Sequence, residues 1–278
     1  MTTNRDASAS LSLRAERALD WVTIDRAHDR NALDSRTLAE LGDHLTEAEA
    51  RGVRAVVYRG AGEEHFIGGA DGVEMYRFCP DEAGAFSRRI QELFDRMESS
   101  PILLVAAIDG LCFGGGLEFA LACDIRIATP RSRLGLPEVK LGIIPGGGGT
   151  QRLPRAIGMS RAKELILTGR LISSDEALAI GLIHSSVSPE QLDAEAGAYA
   201  SRATRLPLHA FREAKQVTQA AWDRSLAEGL RLEAEAFGRC FQESDFSDCV
   251  REQLESGALR TTQRTDGRGS PDGNDSNG

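Results

Sequence analysis

Two glutamates in apolar surroundings are the residues of this sequence best suited to carry chemistry. Glu118 lies between Leu117 and Phe119 in the most apolar part of the chain. Glu138 follows Pro137 in an otherwise aliphatic run. Burial and mutual repulsion raise the pKa of at least one carboxyl in such a pair, which suits general acid–base catalysis. The alternative is that each glutamate forms a salt bridge with a nearby arginine or lysine.

Two glycine-bearing turns offer backbone donors that could act together with these acids. One turn contains Gly68 and the other, residues 114–116, opens the helix that carries Glu118. The N–H of Gly115 would be unpaired within that helix and reinforced by the helix dipole. If Gly68 contributes a second N–H, the two groups would converge on one developing oxyanion. The alternative is that these glycines serve only the tight packing of helices and strands.

Other kinds of site fit the sequence poorly. The glycines at 146–149 lack the Gly-Lys-Ser/Thr ending of a phosphate loop, and those at 114–116 lack the dinucleotide-binding spacing. The five histidines show no metal-ligand spacing, and no Gly-x-Ser-x-Gly motif is present. We therefore expect no nucleotide hydrolysis, no metal site and no serine hydrolase.

Alternating strands and helices must position these residues. An opening hairpin is predicted over 11–24, and a helix over 35–50 begins at Asp34 or Ser35. Apolar runs predict buried strands, and periodic patterns predict further helices. The strands cover 55–58, 102–107 and 125–128, and the helices cover 81–97, 117–123 and 150–168 with a break at Gly158. Strand, glycine turn and helix occur twice, which indicates a repeated unit.

The C-terminal part of the chain has a different character. From residue 190 to about 256 it is almost wholly helical, and one apolar face fits a layer that covers the core or a neighbouring subunit. This face contains Leu226, Leu230, Phe237 and Phe241. We divide the chain into a flexible N-terminus (1–10), a core with the active site (11–200), a helical region (201–257) and a disordered tail (258–278).

Composition limits the partners and the compartment. The net charge of -9, from 33 basic and 42 acidic residues, disfavours nucleic acid as a partner. The five cysteines are odd in number and widely spaced, which favours reduced thiols. The N-terminus has no apolar signal region, and charged residues interrupt the most apolar stretch. We therefore expect a cytoplasmic protein with no membrane association.

Three motifs in the sequence resemble one known family. They are Phe-Ile-Gly-Gly-Ala-Asp at 66–71, Ala-Ile-Asp-Gly-Leu-Cys-Phe-Gly-Gly-Gly-Leu-Glu at 107–118, and Leu-Pro-Glu-Val-Lys-Leu-Gly-Ile-Ile-Pro-Gly-Gly-Gly-Gly-Thr-Gln-Arg at 136–152. Together they resemble the crotonase superfamily, specifically its enoyl-CoA hydratases. The similarity covers about residues 11–253.

The resemblance implies both a fold and a partner. The fold would be an α/β, crotonase-like spiral of repeated ββα units with a C-terminal helical trimerisation region. The chain would form a homotrimer or a dimer of trimers. The substrate would be an acyl-CoA thioester, with no metal or redox cofactor, since coenzyme A is part of the substrate. Fatty acid metabolism is one expected setting, beside aromatic degradation and specialised biosynthesis.

The resemblance also implies a reaction with a role for each site residue. Gly68 and Gly115 would form the oxyanion hole around the thioester carbonyl. Glu118 would activate water for attack at C3, and Glu138 would protonate C2. The result would be reversible syn hydration of a 2-enoyl-CoA to a 3-hydroxyacyl-CoA.

Contacts to coenzyme A are expected from Arg30, Ala70, Asp71, Gly72 and Met75. The family usually follows Ala-Asp with an aliphatic residue and Lys-Glu-Met, whereas this chain has Gly-Val-Glu-Met at 72–75. A backbone contact to coenzyme A would therefore remain while a basic one is missing.

Three alternatives keep the same fold. Isomerisation of a 3-enoyl-CoA to a 2-enoyl-CoA needs only one carboxylate to move a proton. Another crotonase-type acyl-CoA reaction is the second alternative. The third is a noncatalytic member that binds a CoA thioester or RNA, and the acidic balance counts against RNA.

Overall fold

The computed structural model describes residues 10–242 and 244–256. The tail at 258–278 and all but the last residue of the N-terminal segment at 1–10 lie outside the described residues. That last residue, Ser10, is buried, and its N–H donates to the Glu40 carboxylate at 2.8 Å. Ser10 therefore packs with α1 in the described structure.

The strands of the described residues form two sheets, one of six strands and one of four. Their bounds are β1 (Leu11–Glu16), β2 (Leu19–Ile24), β3 (Ala55–Gly60), β4 (His65–Ile67), β5 (Leu103–Ile108), β6 (Leu111–Phe113), β7 (Ile125–Ala128), β8 (Arg133–Gly135), β9 (Ile172–Ser173) and β10 (Ser185–Ser186). The larger sheet has the order β1-β2-β3-β5-β7-β10, and only its β1–β2 pair, the predicted hairpin, is antiparallel. The smaller sheet has the order β4-β6-β8-β9.

Helices surround these sheets and make up most of the C-terminal region. Their bounds are α1 (Ser35–Ala50), α2 (Gly72–Met75), α3 (Pro80–Ser99), α4 (Gly115–Ala122), α5 (Gly149–Ile157), α6 (Met159–Thr168), α7 (Ser174–Ala179), α8 (Pro189–Thr204), α9 (Leu208–Ala220), α10 (Leu226–Cys240) and α11 (Asp245–Glu255). Two 3-10 helices cover Ala27–Asp29 and Glu138–Leu141. Asp34 caps α1 by accepting from the Thr37 N–H, and Gly158 separates α5 from α6, both as predicted.

The repeated unit consists of a strand of the large sheet, a strand of the small sheet and a helical segment. It occurs three times, as β3-β4-α3, β5-β6-α4 and β7-β8-α5, one time more than predicted. The central strands are buried on both faces. Val56 belongs to the main core with α1 and α3, whereas Val57 packs in a second core against α8. This burial explains why these strands are continuous apolar runs.

The small sheet determines where the turns meet. Strands β4, β6 and β8 are parallel neighbours, so the segments that leave their carboxyl ends lie along one edge of the sheet. Those segments are residues 68–71, residues 114–116 and residues 136–138. Both glycine turns and Glu138 thus come together from three separate repeats.

The structure shows what two features of the C-terminal half contact. The apolar face of α10 does not cover the core of this chain, because Leu226 is 80% exposed and Phe237 is 66% exposed. Ser188 precedes α8, but its side chain makes no capping hydrogen bond, whereas the Ser173 hydroxyl accepts the Glu176 N–H at the start of α7. Proline at the start of α8 is the helix-start signal that holds there.

Within the described part of the chain, every helix is too short or too polar to cross a lipid bilayer.

Candidate active site

A cavity of ≈1660 Å³ opens at the edge where β4, β6 and β8 end. Glu118, Glu138 and Gly115 line it. Side chains of α3 and the loop at 145–148 form other parts of its wall. The residues to which the sequence assigned chemistry therefore line one cavity.

Gly68 is not available as an oxyanion donor, which corrects the prediction. Its N–H already donates to the Arg30 carbonyl at 2.9 Å. Ala70 and Gly115 both line the cavity, and within the described residues neither N–H has a hydrogen-bond acceptor. A Cβ placed on Gly115 would lie 3.0 Å from the Ala70 nitrogen, so the two backbones approach closely. The pair of available donors is therefore Ala70 and Gly115.

A β-bridge explains why the Ala70 N–H is available. Leu33 pairs with Ala70, donating its N–H to the Gly69 carbonyl and accepting the N–H of Asp71, each at 2.9 Å. Successive peptide groups of an extended segment point in opposite directions. The Ala70 N–H therefore points away from Leu33. The partner Leu33 is distant in sequence, so the motif alone does not reveal this direction.

Glu118 is anchored by backbone rather than by a salt bridge. Its side chain extends from α4, it is 2% exposed, and its Oε1 atom accepts the N–H groups of Gly147 at 2.8 Å and Gly149 at 2.7 Å. Burial raises the pKa of Glu118, while the two N–H groups and the charge of Arg152 oppose that rise. The alternative of a direct ion pair is therefore wrong for this residue in the described structure.

Glu138 has fewer partners. It begins the 3-10 helix Glu138–Leu141, it is 9% exposed, and its buried Oε2 atom has no hydrogen-bond partner among the described residues. Burial, with a further contribution from the charge of Glu118, raises the pKa of Glu138 to about 7. No salt bridge reaches it within the described residues. This carboxyl can therefore give or accept a proton near neutral pH.

The glycine clusters leave room for these two carboxylates. A Cβ on Gly114, whose φ is +48°, would lie 2.8 Å from the Oε1 atom of Glu138. A Cβ on Gly147 would lie 2.8 Å from the Oε2 atom of Glu118. Gly116 has the packing role proposed as an alternative, because its Cβ would overlap the carbonyl oxygen of Ile67. The sequence identified the clusters but did not reveal that residues 147 and 149 bind Glu118.

The predicted coenzyme A contacts divide into two groups. Arg30, Ala70 and Met75 line the cavity, whereas Asp71 and Gly72 do not. The Asp71 carboxylate accepts two N–H groups as the cap of α2 and pairs with Arg26 at 3.2 Å. Gly72 is an exposed residue of α2. The structure therefore gives Asp71 a structural role in shaping the turn.

Part of the cavity wall is apolar. Its side chains come from the segment around α2 and from α3, and they are Met75, Phe78, Phe86 and Ile90.

Among residues 10–242 and 244–256, no group of three or more His, Cys, Asp or Glu side chains is arranged to hold a metal ion.

Comparison with known proteins gives consistent matches. The family model for enoyl-CoA hydratase/isomerase matches residues 14–263. The chain is 41% identical over 239 residues to a short-chain-enoyl-CoA hydratase of Clostridium acetobutylicum, covering 86% of this chain and 92% of that protein. It is 37% identical over 240 residues to a crotonyl-CoA hydratase of Syntrophomonas wolfei, with coverage of 86% and 92%.

A solved structure matches the fold equally well. The crystal structure of enoyl-CoA hydratase from Bacillus anthracis superposes with a TM-score of 0.86 at 36% identity, covering 89% of this chain and 97% of that one. This agreement confirms the expected crotonase-like α/β fold. The chain therefore belongs to the enoyl-CoA hydratase/isomerase family of the crotonase superfamily.

Proposed function

We propose that this protein is an enoyl-CoA hydratase, a lyase that adds water reversibly and in syn fashion to a 2-enoyl-CoA. The observation that carries the proposal is the pair of buried carboxyls, Glu118 and Glu138, in one cavity beside two available backbone N–H groups. The names of the relatives support the same reaction and an acyl-CoA thioester as substrate.

The thioester carbonyl accepts the N–H groups of Ala70 and Gly115. These donors stabilise the negative charge that develops on the carbonyl oxygen when a nucleophile attacks C3 of the conjugated system. Gly115 is the first residue of α4, so the helix dipole adds to this stabilisation. The apolar wall formed by α3 and its neighbours holds the acyl chain.

The two glutamates divide the proton transfers. Water forms the new C–O bond at C3 while its proton passes to the Oε2 atom of Glu118, because Oε1 is already bound to the loop. The enolate collapses and C2 takes a proton from Glu138. Glu118 then holds a proton and Glu138 a charge, and proton transfer between them or with solvent restores the starting state. Dehydration uses the same steps in reverse.

Crotonyl-CoA and a longer 2-enoyl-CoA provide the test. The purified protein should remove the conjugated-enone absorbance, and Glu138→Gln should lower the rate by at least about 10², the usual range for general acid–base catalysis. Glu92→Gln is the matched control, because Glu92 is an exposed residue of α3 outside the cavity wall. No turnover across a panel of chain lengths would refute the proposal.

The same experiment distinguishes the alternatives within the family. The isomerase alternative is tested by turnover of a 3-enoyl-CoA. If Glu118→Gln left this turnover intact while Glu138→Gln abolished it, isomerisation would replace hydration as the proposed reaction. A tightly bound acyl-CoA that is recovered unchanged after long incubation would indicate a noncatalytic binding protein.

Further expectations belong to this proposal. The reaction uses no metal or redox cofactor, and Arg30 and Met75 contact the coenzyme A part of the substrate. The protein is a cytoplasmic homotrimer or dimer of trimers, and it acts in fatty acid metabolism. The exposed apolar face of α10 supports burial of this face between subunits.

A further inference from the structure

The loop at 146–149 is held at two points, one on helix α3 and one on helix α5. At one point, the Ser87 hydroxyl and the Gln91 amide both donate to the Gly146 carbonyl at 2.7 Å. The Ser87 hydroxyl also accepts the Gln91 amide at 3.1 Å. Two neighbouring turns of α3 therefore bind the same carbonyl oxygen.

The second point of attachment is Arg152 on α5. Its guanidinium donates to the Gly147 carbonyl at 3.0 Å and forms ion pairs with two carboxylates of α3, Asp95 at 2.6 Å and Glu98 at 2.8 Å. The Arg152 side chain is 12% exposed and packs over Gly148, whose φ is +103°. A planar guanidinium can make all of these contacts at once, whereas an ammonium group cannot reproduce them.

These contacts bear directly on Glu118. The carbonyls of Gly146 and Gly147 are held by α3 and Arg152, and the N–H groups of Gly147 and Gly149 bind Oε1 of Glu118. Loop and carboxylate are thus parts of one hydrogen-bonded unit. Within the described residues, the outer members of this unit line the same cavity but make no hydrogen bond to Glu118 or Glu138.

We infer that Arg152, Ser87 and Gln91 are positioning residues: they hold the loop so that its N–H groups occupy Oε1 of Glu118 and leave Oε2 alone to accept the proton of water. This inference rests on the proposed function. It assigns control of the orientation and the ionisation of Glu118 to three side chains that lie outside the acid pair.

The charges around Glu118 determine the direction of the expected effect. Glu138 faces it from the 3-10 helix and Arg152 from α5, and Asp95 and Glu98 on α3 neutralise much of the arginine charge. The loop N–H groups and Arg152 favour the ionised carboxylate. They thereby oppose the rise in the pKa of Glu118 that burial causes. Loosening the loop therefore raises the pH at which Glu118 ionises.

Two variants test the inference independently. Arg152→Met removes one point of attachment, and the double variant Ser87→Ala with Gln91→Met removes the other without a change of charge. Arg161→Met is the control, because Arg161 is exposed on α6 and forms no ion pair within the described residues. Arg152→Lys retains the charge without the planar fork, and it should restore only part of the effect.

The first measurement does not depend on turnover. Infrared titration of the protonated carboxyl band, assigned with Glu118→Gln, should show Glu118 ionising about one pH unit higher in both test variants. The second measurement is the pH profile of kcat/KM for crotonyl-CoA. Its acid limb should move upward by the same amount, and at a pH on that limb kcat should fall by up to about tenfold while KM changes less than about threefold.

Each outcome has a definite meaning. Folded variants in which Glu118 ionises at the wild-type pH would overturn the inference, as would a loss of kcat that is equal at every pH. If Arg152→Met fails to fold, the Ser87→Ala/Gln91→Met variant decides alone. If the wild-type protein does not turn over any enoyl-CoA, the proposed function fails, while the infrared titration still decides whether these residues control Glu118.

Discussion

At the scale of single residues, the two acids of the cavity have different surroundings. Glu118 receives two backbone N–H groups on one oxygen, while one oxygen of Glu138 is buried with no partner in the described part of the chain. Burial raises the pKa of both carboxyls, and the two loop N–H groups oppose this rise only at Glu118. This difference supports the assignment of base and acid more directly than the presence of two glutamates does.

The raised pKa of Glu138 predicts a pH-dependent cost in stability. The folded carboxyl keeps its proton up to about pH 7, whereas the unfolded one releases it near its ordinary value of 4.5. The folded state thus binds more protons between these values, so the contribution of Glu138 to stability is present below pH 4.5 and is lost as the pH rises through 7. Glu138→Gln should therefore raise the unfolding free energy at pH 8 by about 3 kcal/mol.

Denaturant unfolding at pH 4.5 and pH 8 measures this effect. At pH 4.5 the variant and the wild type should agree within about 0.5 kcal/mol, and Glu92→Gln should leave both values unchanged. Equal stability of Glu138→Gln and wild type at pH 8 would show that the folded carboxyl is not held in its neutral form.

The two acids stand out in the sequence, whereas the direction of the backbone donors does not. Glu118 and Glu138 are recognisable because a carboxylate in an apolar run needs a reason to be there. The direction of an N–H group has no such signal. Gly68 and Ala70 differ in their role because Arg30 and Leu33 pair with this turn, and a pairing between distant segments is not visible in the motif.

At the scale of elements, helix α4 leaves little room for substitutions. It is buried along its whole length, and its first residues contact the turns of the neighbouring repeats. Two adjacent glycines at its start, Gly115 and Gly116, meet different atoms. Substitutions at the two positions should therefore affect different properties.

Gly115→Ala should reduce activity without loss of the fold. Its new Cβ would lie 3.0 Å from the Ala70 nitrogen, a distance that a small shift can relieve but that disturbs the paired donors. We expect kcat/KM to fall by about 10² or more, as for the loss of one oxyanion donor. Steady-state kinetics and thermal melting measured on the same sample check this.

Gly116→Ala provides the contrast. Its Cβ would overlap the carbonyl oxygen of Ile67, which belongs to β4 and cannot move alone, so the unfolding free energy should fall by about 3 kcal/mol. If Gly115→Ala lost stability to the same degree as Gly116→Ala, its effect on activity would reflect damage to the fold instead.

The elements were predictable wherever their apolar pattern was long enough. Strands β3, β5 and β7 and helices α1, α3 and α4 all lie close to their expected positions. The small sheet was not predicted as a separate layer, because its strands have two or three residues and two or three residues cannot display a period. This layer is nevertheless the one that brings the site together.

At the scale of the whole molecule, the apolar face of α10 has no cover within the described chain. An amphipathic helix has the same pattern whether its apolar face meets its own core or another subunit, so the sequence left both alternatives open. The structure excludes the first alternative for Leu226, Leu230, Phe237 and Phe241, all of which are exposed. Phe237 and Phe241 also pack against each other, with ring centroids 5.1 Å apart.

Phe237→Glu should dissociate the proposed oligomer. A charge on this face would be buried on assembly and would lack a partner, while the fold of the single chain would keep its core. Light scattering should change from the mass of a trimer or hexamer to that of a monomer, with an unaltered circular dichroism spectrum. Leu13→Glu is the control, because it places the same charge on another exposed apolar residue, on β1, and it should leave the mass unchanged. A variant at Phe237 that keeps the wild-type mass would place the interface elsewhere.

The origin of the oxyanion donors has a consequence for how this protein can change. In the proposed mechanism, Ala70 and Gly115 supply N–H groups, so carbonyl activation depends on the path of the backbone, whereas the acid–base steps depend on the side chains of Glu118 and Glu138. The two capacities are therefore separable by substitution. Exchange of an acid would leave a scaffold that still polarises thioesters. New reactivity could then be introduced by changing single side chains around the intact pair of backbone donors.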